Sequence, residues 1–177
     1  MRSFLGNGYH YLIAHAVPPH TTSLITEQVL DNFRAYYQIH CQDETKPYDG
    51  IAEMLDALRD NGYKMAIVSN KGDEAVKQLA ARFFSPWIKI AVGESKDVRR
   101  KPNPDAVLQA IKQLGSNIEE SIYVGDSEVD IATAKNAGIP CVACLWGFRD
   151  EQFLRKNGAT HLIKAPKELL SAVRKQE

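Results

Sequence analysis

The chain has 177 residues, 44% of them apolar, and its 22 basic residues are balanced by 22 acidic ones. That size and apolar content fit one globular unit with a filled core, and a net charge of zero leaves no long-range field to draw a polyanion, so nucleic acid and anionic membrane are disfavoured as partners. The longest apolar stretches, such as residues 139–146, fall far short of the roughly 20 residues that a membrane-spanning helix needs.

The N-terminus, Arg2 followed by Gly6, Asn7 and Gly8, lacks the layout of a secretory signal. Cys41, Cys141 and Cys144 are an odd number at spacings that suggest no disulfide framework, so a reducing cytoplasm is expected. Up to about residue 47 the periodicity predicts helices. Leu5, Tyr9, Leu12, Ile13 and Ala16 recur at helical steps before Pro18 and Pro19 end the run. A second helix is expected with Thr26 as its N-cap and Val29, Leu30, Phe33 and Tyr37 as its apolar stripe.

From Pro47 onward, short apolar runs alternate with helical ones, the pattern of strands covered on both faces of a parallel sheet. Helices are expected at 51–59, 73–81, 104–114, 130–137, 151–156 and 167–174, with Gly138 as a C-cap. Strands are expected at 64–68, 88–92, 121–124, 141–145 and 161–163. Such alternation predicts an open, doubly wound α/β sheet, in which ligands sit beyond the carboxyl ends of the strands.

Three of those ends, or the loops after them, carry chemistry. Ser69 and Asn70 place a hydroxyl and an amide between a strand and a helix N-terminus, which suits a phosphate, although a cap and turn would use the same residues. Lys101 stands in Arg100-Lys101-Pro102-Asn103-Pro104, where two prolines stiffen the backbone around an ammonium that could otherwise belong to a solvated basic loop. Asp126 directly follows a buried strand and Gly125, with Asp130 one helical turn on, so two carboxylates can converge. Hard oxygen ligands at a polar strand end suit Mg²⁺, which takes one or two carboxylates plus phosphate and water. The plainer alternative is a helix capped by Asp126 with Asp130 in solvent.

In this order, Ser69-Asn70, Lys101-Pro102-Asn103-Pro104 and Gly125-Asp126-Ser127 with Asp130 resemble motifs two, three and four of the haloacid dehalogenase superfamily of phosphohydrolases. Residues 2–8, Tyr123-Val124-Gly125-Asp126-Ser127, residues 134–139 and Leu145-Trp146-Gly147 resemble its phosphoglycolate phosphatase branch. The resemblance implies an Mg²⁺-dependent phosphatase acting on a small phosphorylated metabolite. Ser69, with Asn70 beside it, would bind the phosphoryl group, Lys101 would neutralise phosphate and nucleophile, Asp126 would hold the metal, and Asp130 would support the metal or the lysine. Residues 1–47 would form part of a helical cap over an α/β core at 48–177.

One family element is missing. The first motif is an Asp-x-Asp closing a central strand between those corresponding here to 64–68 and 121–124, and this chain has no Asp-x-Asp anywhere. Without the attacking carboxylate the mechanism cannot run, because positioning groups stabilise a transition state but supply no nucleophile. The chain as numbered is therefore expected to be inactive and to be a piece of a longer phosphatase, the rival being a non-catalytic phosphate-binding or regulatory module. Where a central strand is lacking, its neighbours are expected to stay apart rather than pair directly.

Other features carry less. Cys141 and Cys144 have CxxC spacing, but residues three apart on a strand face opposite ways and no second pair completes a zinc site. The spacing of five among His10, His15 and His20 aligns no ligands on one helical face, and His40 stands apart. Gly6-Asn7-Gly8 lacks the preceding strand and third glycine of a dinucleotide fingerprint.

Overall fold

The computed structural model describes Phe4 and residues 6–174. Arg2 and Leu5, used above in the N-terminal motif and the first helical stripe, lie outside the described residues. Two helices lead, α1 (Gly8–Ala16) and α2 (Ser23–His40). The α2 cap is Thr22, whose hydroxyl accepts from the Ile25 N–H. Thr26 lies inside the first turn and donates back to the Thr22 carbonyl, so the helix starts a turn earlier than its apolar stripe announces.

The α/β part follows in the expected alternation: α3 (Ile51–Asp60), β1 (Ala66–Gly72), α4 (Asp73–Phe83), β2 (Ile90–Glu94), α5 (Asp105–Leu114), β3 (Tyr123–Gly125), α6 (Glu128–Ala137), β4 (Cys141–Cys144), α7 (Glu151–Lys156), β5 (His161–Ile163) and α8 (Leu169–Arg174). A 3₁₀ turn, Pro166–Glu168, leads into α8. All strand pairs are parallel, as the alternation requires. No helix among the described residues is long and apolar enough to cross a membrane.

The expected single sheet is divided. β1 pairs with β2 in one sheet, and β3-β4-β5 form another. Among the described residues, β1 and β3 each have one edge without a strand partner. They neither pair with each other nor accept a strand from the N-terminal residues, which are helical. Helices bridge the seam from both faces. α5 packs Ala106 and Ala110 with Val92 in one cluster, and Val107 and Ile111 with Tyr123 and Ala134 in another, and Val68 of β1 joins both. α3 contributes Leu58 to a cluster with Val142 and Ile163 that also gathers Met65 and Ile122.

The strands flanking the seam stay apart, as expected, and are less covered than the apolar runs predict. Residues 66–69 of β1 are only half-buried, and Val124 in β3 is 39% exposed, because each strand has an open edge. The register of β1 against β2 also breaks: Val68 faces Val92, and Gly72 faces Glu94. Four steps on one strand meet two on the other, so Ser69, Asn70 and Lys71 bulge at the strand end.

Leu154 is fully buried with Ile131, Ala143 and Ala159. Leu154→Ala is expected to lower stability by about 2 to 5 kcal/mol through lost burial and a residual cavity, read from the shift in the urea unfolding midpoint at unchanged slope.

Candidate active site

Asp130 organises the strand ends. It lies in the first turn of α6, where Ser127 and Asp130 form a reciprocal capping box. Its Oδ2 accepts from the Asp126 N–H at 3.1 Å, the Ser127 N–H at 3.1 Å and the Ser127 hydroxyl at 2.6 Å. Its Oδ1 accepts from Lys101 Nζ at 2.6 Å and from the Tyr123 hydroxyl at 2.9 Å. Only a glycine at 125 allows this, since a Cβ there would stand 2.3 Å from the Asp130 Cβ. The alternative of a capping Asp126 and a solvated Asp130 is overturned: Ser127 caps, and Asp130 is buried.

Burial pushes the Asp130 carboxyl up, but the Lys101 ammonium and the hydrogen bonds from Lys101, Ser127 and Tyr123 outweigh it and hold the group below its ordinary 3.8. The stabilisation linked to that shift is complete above the ordinary value and is lost as the pH falls through the depressed one. Lys101 moves the other way. Burial lowers its pKa, yet Tyr123 and Asp130 raise it further, so the ammonium stays charged.

With both oxygens occupied, Asp130 has little left for a metal. Asp126 differs. One oxygen, Oδ2, accepts from the Phe148 N–H at 3.2 Å, while no hydrogen bond from the described residues reaches Oδ1. A Cβ at Gly147 would lie 2.1 Å from Asp126 Oδ2, so the loop after β4 can close on the carboxylate only because 147 is glycine. Arg149 holds that loop to α6 through two hydrogen bonds to Glu128, at 2.8 and 3.0 Å. Among the described residues no cluster of three His, Cys, Asp or Glu side chains could by itself hold a metal. A hard cation that keeps most of its waters and shares a phosphate does fit one such carboxylate.

Asn70 ties motif two to motif three. Its amide donates to the carbonyls of Gly6 at 2.8 Å and Lys101 at 3.1 Å, and its Oδ1 accepts from the Lys101 N–H at 2.7 Å. The whole side chain is thereby committed, and any phosphate contact from position 70 has to come from its main chain. Among the described residues Ser69 Oγ accepts from the Lys71 N–H alone, at 3.2 Å, so its proton is available. The Lys101 loop is also held by Asn136, which donates to the Pro102 carbonyl at 2.8 Å. The structure thus joins Asn70, Lys101, Asp130 and Asp126 by direct hydrogen bonds at the carboxyl ends of β1 and β3, with Ser69 adjoining. A surface concavity of about 630 Å³ along α4, β2 and α5 contains none of these groups.

A family model for haloacid dehalogenase-like hydrolases matches residues 3–144. The chain belongs to that family. Among curated members it is 35% identical over 123 residues to a phosphoglycolate phosphatase of Aquifex aeolicus, covering 69% of this chain and 58% of that one. It is also 30% identical over 148 residues to the pyrophosphatase PpaX of Halalkalibacterium halodurans, covering 83% of this chain and 69% of that one. A crystal structure from Lactobacillus delbrueckii subsp. bulgaricus, of a protein provisionally named phosphoglycolate phosphatase, superposes with a TM-score of 0.91 at 35% identity. That match covers 97% of this chain and 81% of the other. This family member spans 58% of the Aquifex relative and 56% of a Pseudomonas syringae phosphoglycolate phosphatase.

Sequence reading quoted Tyr123 only within the family motif and missed its hydroxyl contacts, the Arg149–Glu128 clamp and the loop amide of Phe148. A tyrosine in a buried strand that ends in Gly-Asp is a usable signal, because its hydroxyl needs a partner. The clamp pairs residues 21 apart in sequence and has no local pattern.

The two halves of the buried ion pair should differ in cost. Asp130→Ala leaves an ammonium buried without a counter-charge and is expected to cost about 3 to 5 kcal/mol. Lys101→Met should cost less, since Asp130 keeps the donors of Ser127, Tyr123 and two backbone N–H groups. Urea unfolding of both variants at pH 7 checks the ranking.

Proposed function

We propose that this chain carries the phosphate and Mg²⁺ site of a phosphatase that hydrolyses small phosphate monoesters, as the relatives named phosphoglycolate phosphatase suggest. The observation that carries the reading is the Lys101–Asp130 contact at 2.6 Å, which sets a charged ammonium beside Asp126 at one end of the fold. In this reading the ammonium N–H not used by Asp130 or Tyr123 meets a phosphate oxygen, and the Ser69 hydroxyl donates to another. Asp126 would hold Mg²⁺ through its carboxylate. The metal, when bound, supplies Lewis-acid stabilisation of charge on the phosphoryl oxygens. Asp130 takes no part except to hold Lys101 and the turn at 126–127.

The attacking carboxylate belongs to a strand outside the 177 residues, and the seam between β1 and β3 is its place. Two open parallel edges, bridged by helices on both faces, suit one further strand, whose backbone groups would satisfy both neighbours. Residues 1–47 then act as part of a cap. Supporting this, Gly6 and Asn7 accept from Asn70 and Arg100, and Tyr37 accepts from Lys71 at 2.7 Å, so α1 and α2 lean on the strand ends. Ile25, Val29, Tyr36 and Ile39 share one exposed face of α2, which further cap helices would cover. The free cysteines suit a cytoplasmic setting.

Hydrolysis of p-nitrophenyl phosphate with Mg²⁺ tests the reading. The 177-residue chain alone should give no turnover, and metal-dependent turnover by homogeneous material would reveal another nucleophile. A form extended N-terminally by a strand ending in Asp-x-Asp should be active, and inactivity there favours a non-catalytic module. In that form Asp126→Ala should abolish turnover, and Lys101→Ala should slow it by about 10² to 10³. Near-normal rates in either variant would refute the assigned roles.

A further inference from the structure

We propose that Tyr123 is a positioning residue, whose hydroxyl fixes the direction in which the Lys101 ammonium presents its remaining N–H. This rests on reading Lys101 as the phosphate ligand, and it concerns a residue that the four motifs leave out.

Three hydrogen bonds close a ring. Lys101 Nζ donates to Asp130 Oδ1 at 2.6 Å and to the Tyr123 hydroxyl oxygen at 3.0 Å, while that hydroxyl donates to the same Asp130 oxygen at 2.9 Å. An ammonium carries three equivalent donors on a flexible stem. A bond to Asp130 alone would leave the head free to turn about one N–H···O axis, with the other two N–H groups sweeping a cone. A second acceptor in another direction stops that rotation and sets the third N–H.

Tyr123 can serve as that acceptor because its own proton is directed at Asp130, which turns an oxygen lone pair towards the lysine. Burial raises the phenol's pKa well beyond its usual value, against the lowering effect of Lys101, so the hydroxyl keeps its proton. Each corner of the ring is held separately. Tyr123 lies in β3, Asp130 in the α6 capping box, and the backbone at Lys101 is bound on both its N–H and its carbonyl by Asn70.

A purely structural tyrosine is the competing account, and the ring does fill the core, packing with Val107, Ile111, Ala134, Ala137 and Ile139. Hydroxyl and ring are separable. Tyr123→Phe keeps the packing and removes only the polar atom that touches both charged partners. A hydroxyl with a structural role alone would change the melting midpoint and leave the lysine head as it was.

The test uses the 177-residue chain with ¹⁵N-labelled lysine, comparing wild type, Y123F and K101M. The Nζ signal absent from K101M identifies Lys101, and ¹⁵N relaxation gives its order parameter. Inorganic phosphate affinity is measured on the same samples by ³¹P titration. Y123F should lower the ammonium order parameter and weaken phosphate binding roughly 3- to 10-fold, the effect of losing one aligned hydrogen bond, and K101M should remove Lys101-dependent binding. Equal phosphate affinity in wild type and K101M overturns the reading of Lys101 on which the inference stands. Unchanged ammonium order and phosphate affinity in Y123F, with binding lost in K101M, overturns the role of Tyr123 alone.

Discussion

A buried ammonium against a buried carboxylate is an unstable arrangement unless both are saturated with hydrogen bonds, because each ion loses several kcal/mol of hydration. Asp130 meets that condition with five donors, three of them on Oδ2 and two on Oδ1. Its position has structural consequences well beyond the pair. It caps α6, fixes the turn after β3 that carries Asp126, and draws in the loop after β2 that carries Lys101. Gly125 is required by the close approach of the Asp130 side chain, and Gly147 by that of Asp126. The Asp126 turn and the Lys101 ammonium are both set by a residue whose two carboxylate oxygens are already occupied.

The second constraint is the seam. β1 and β3 carry the site at their carboxyl ends, and each has one unpaired edge facing a region bridged by helices. Open strand edges recruit other strands, so they are usually covered or paired. Here they flank the place where a phosphate between Ser69, Lys101 and Asp126 would need its attacking group. The same geometric fact accounts for the half-buried residues of β1 and the exposure of Val124.

Legibility from sequence followed the range of the interactions. Helix and strand order was readable because apolar periodicity is local, and α7 and β5 fall where the pattern placed them. Boundaries moved where a side chain chose the cap: Thr22 for Thr26 at α2, and at α6 Ser127, which starts the helix at Glu128, two residues before the expected 130. β1 ran on through Ser69 to Gly72 because a bulge let the polar residues stay in the strand.

The sequence by itself determined the α/β alternation, the family, and the five charged or polar positions singled out in the motifs, since each depends on residue type and short spacing. Only the tertiary structure decided which groups each position meets. It committed the Asn70 side chain to bracing Lys101, buried Asp130 under five donors while leaving Asp126 with one among the described residues, and brought the Tyr123 hydroxyl and Arg149 to the site in contacts that no motif specifies. It also divided the sheet. Hydrogen-bond saturation and strand pairing depend on which groups meet in space, and residues 22 to 31 apart, such as Tyr123 and Lys101 or Asn70 and Lys101, meet only after the fold has closed around them.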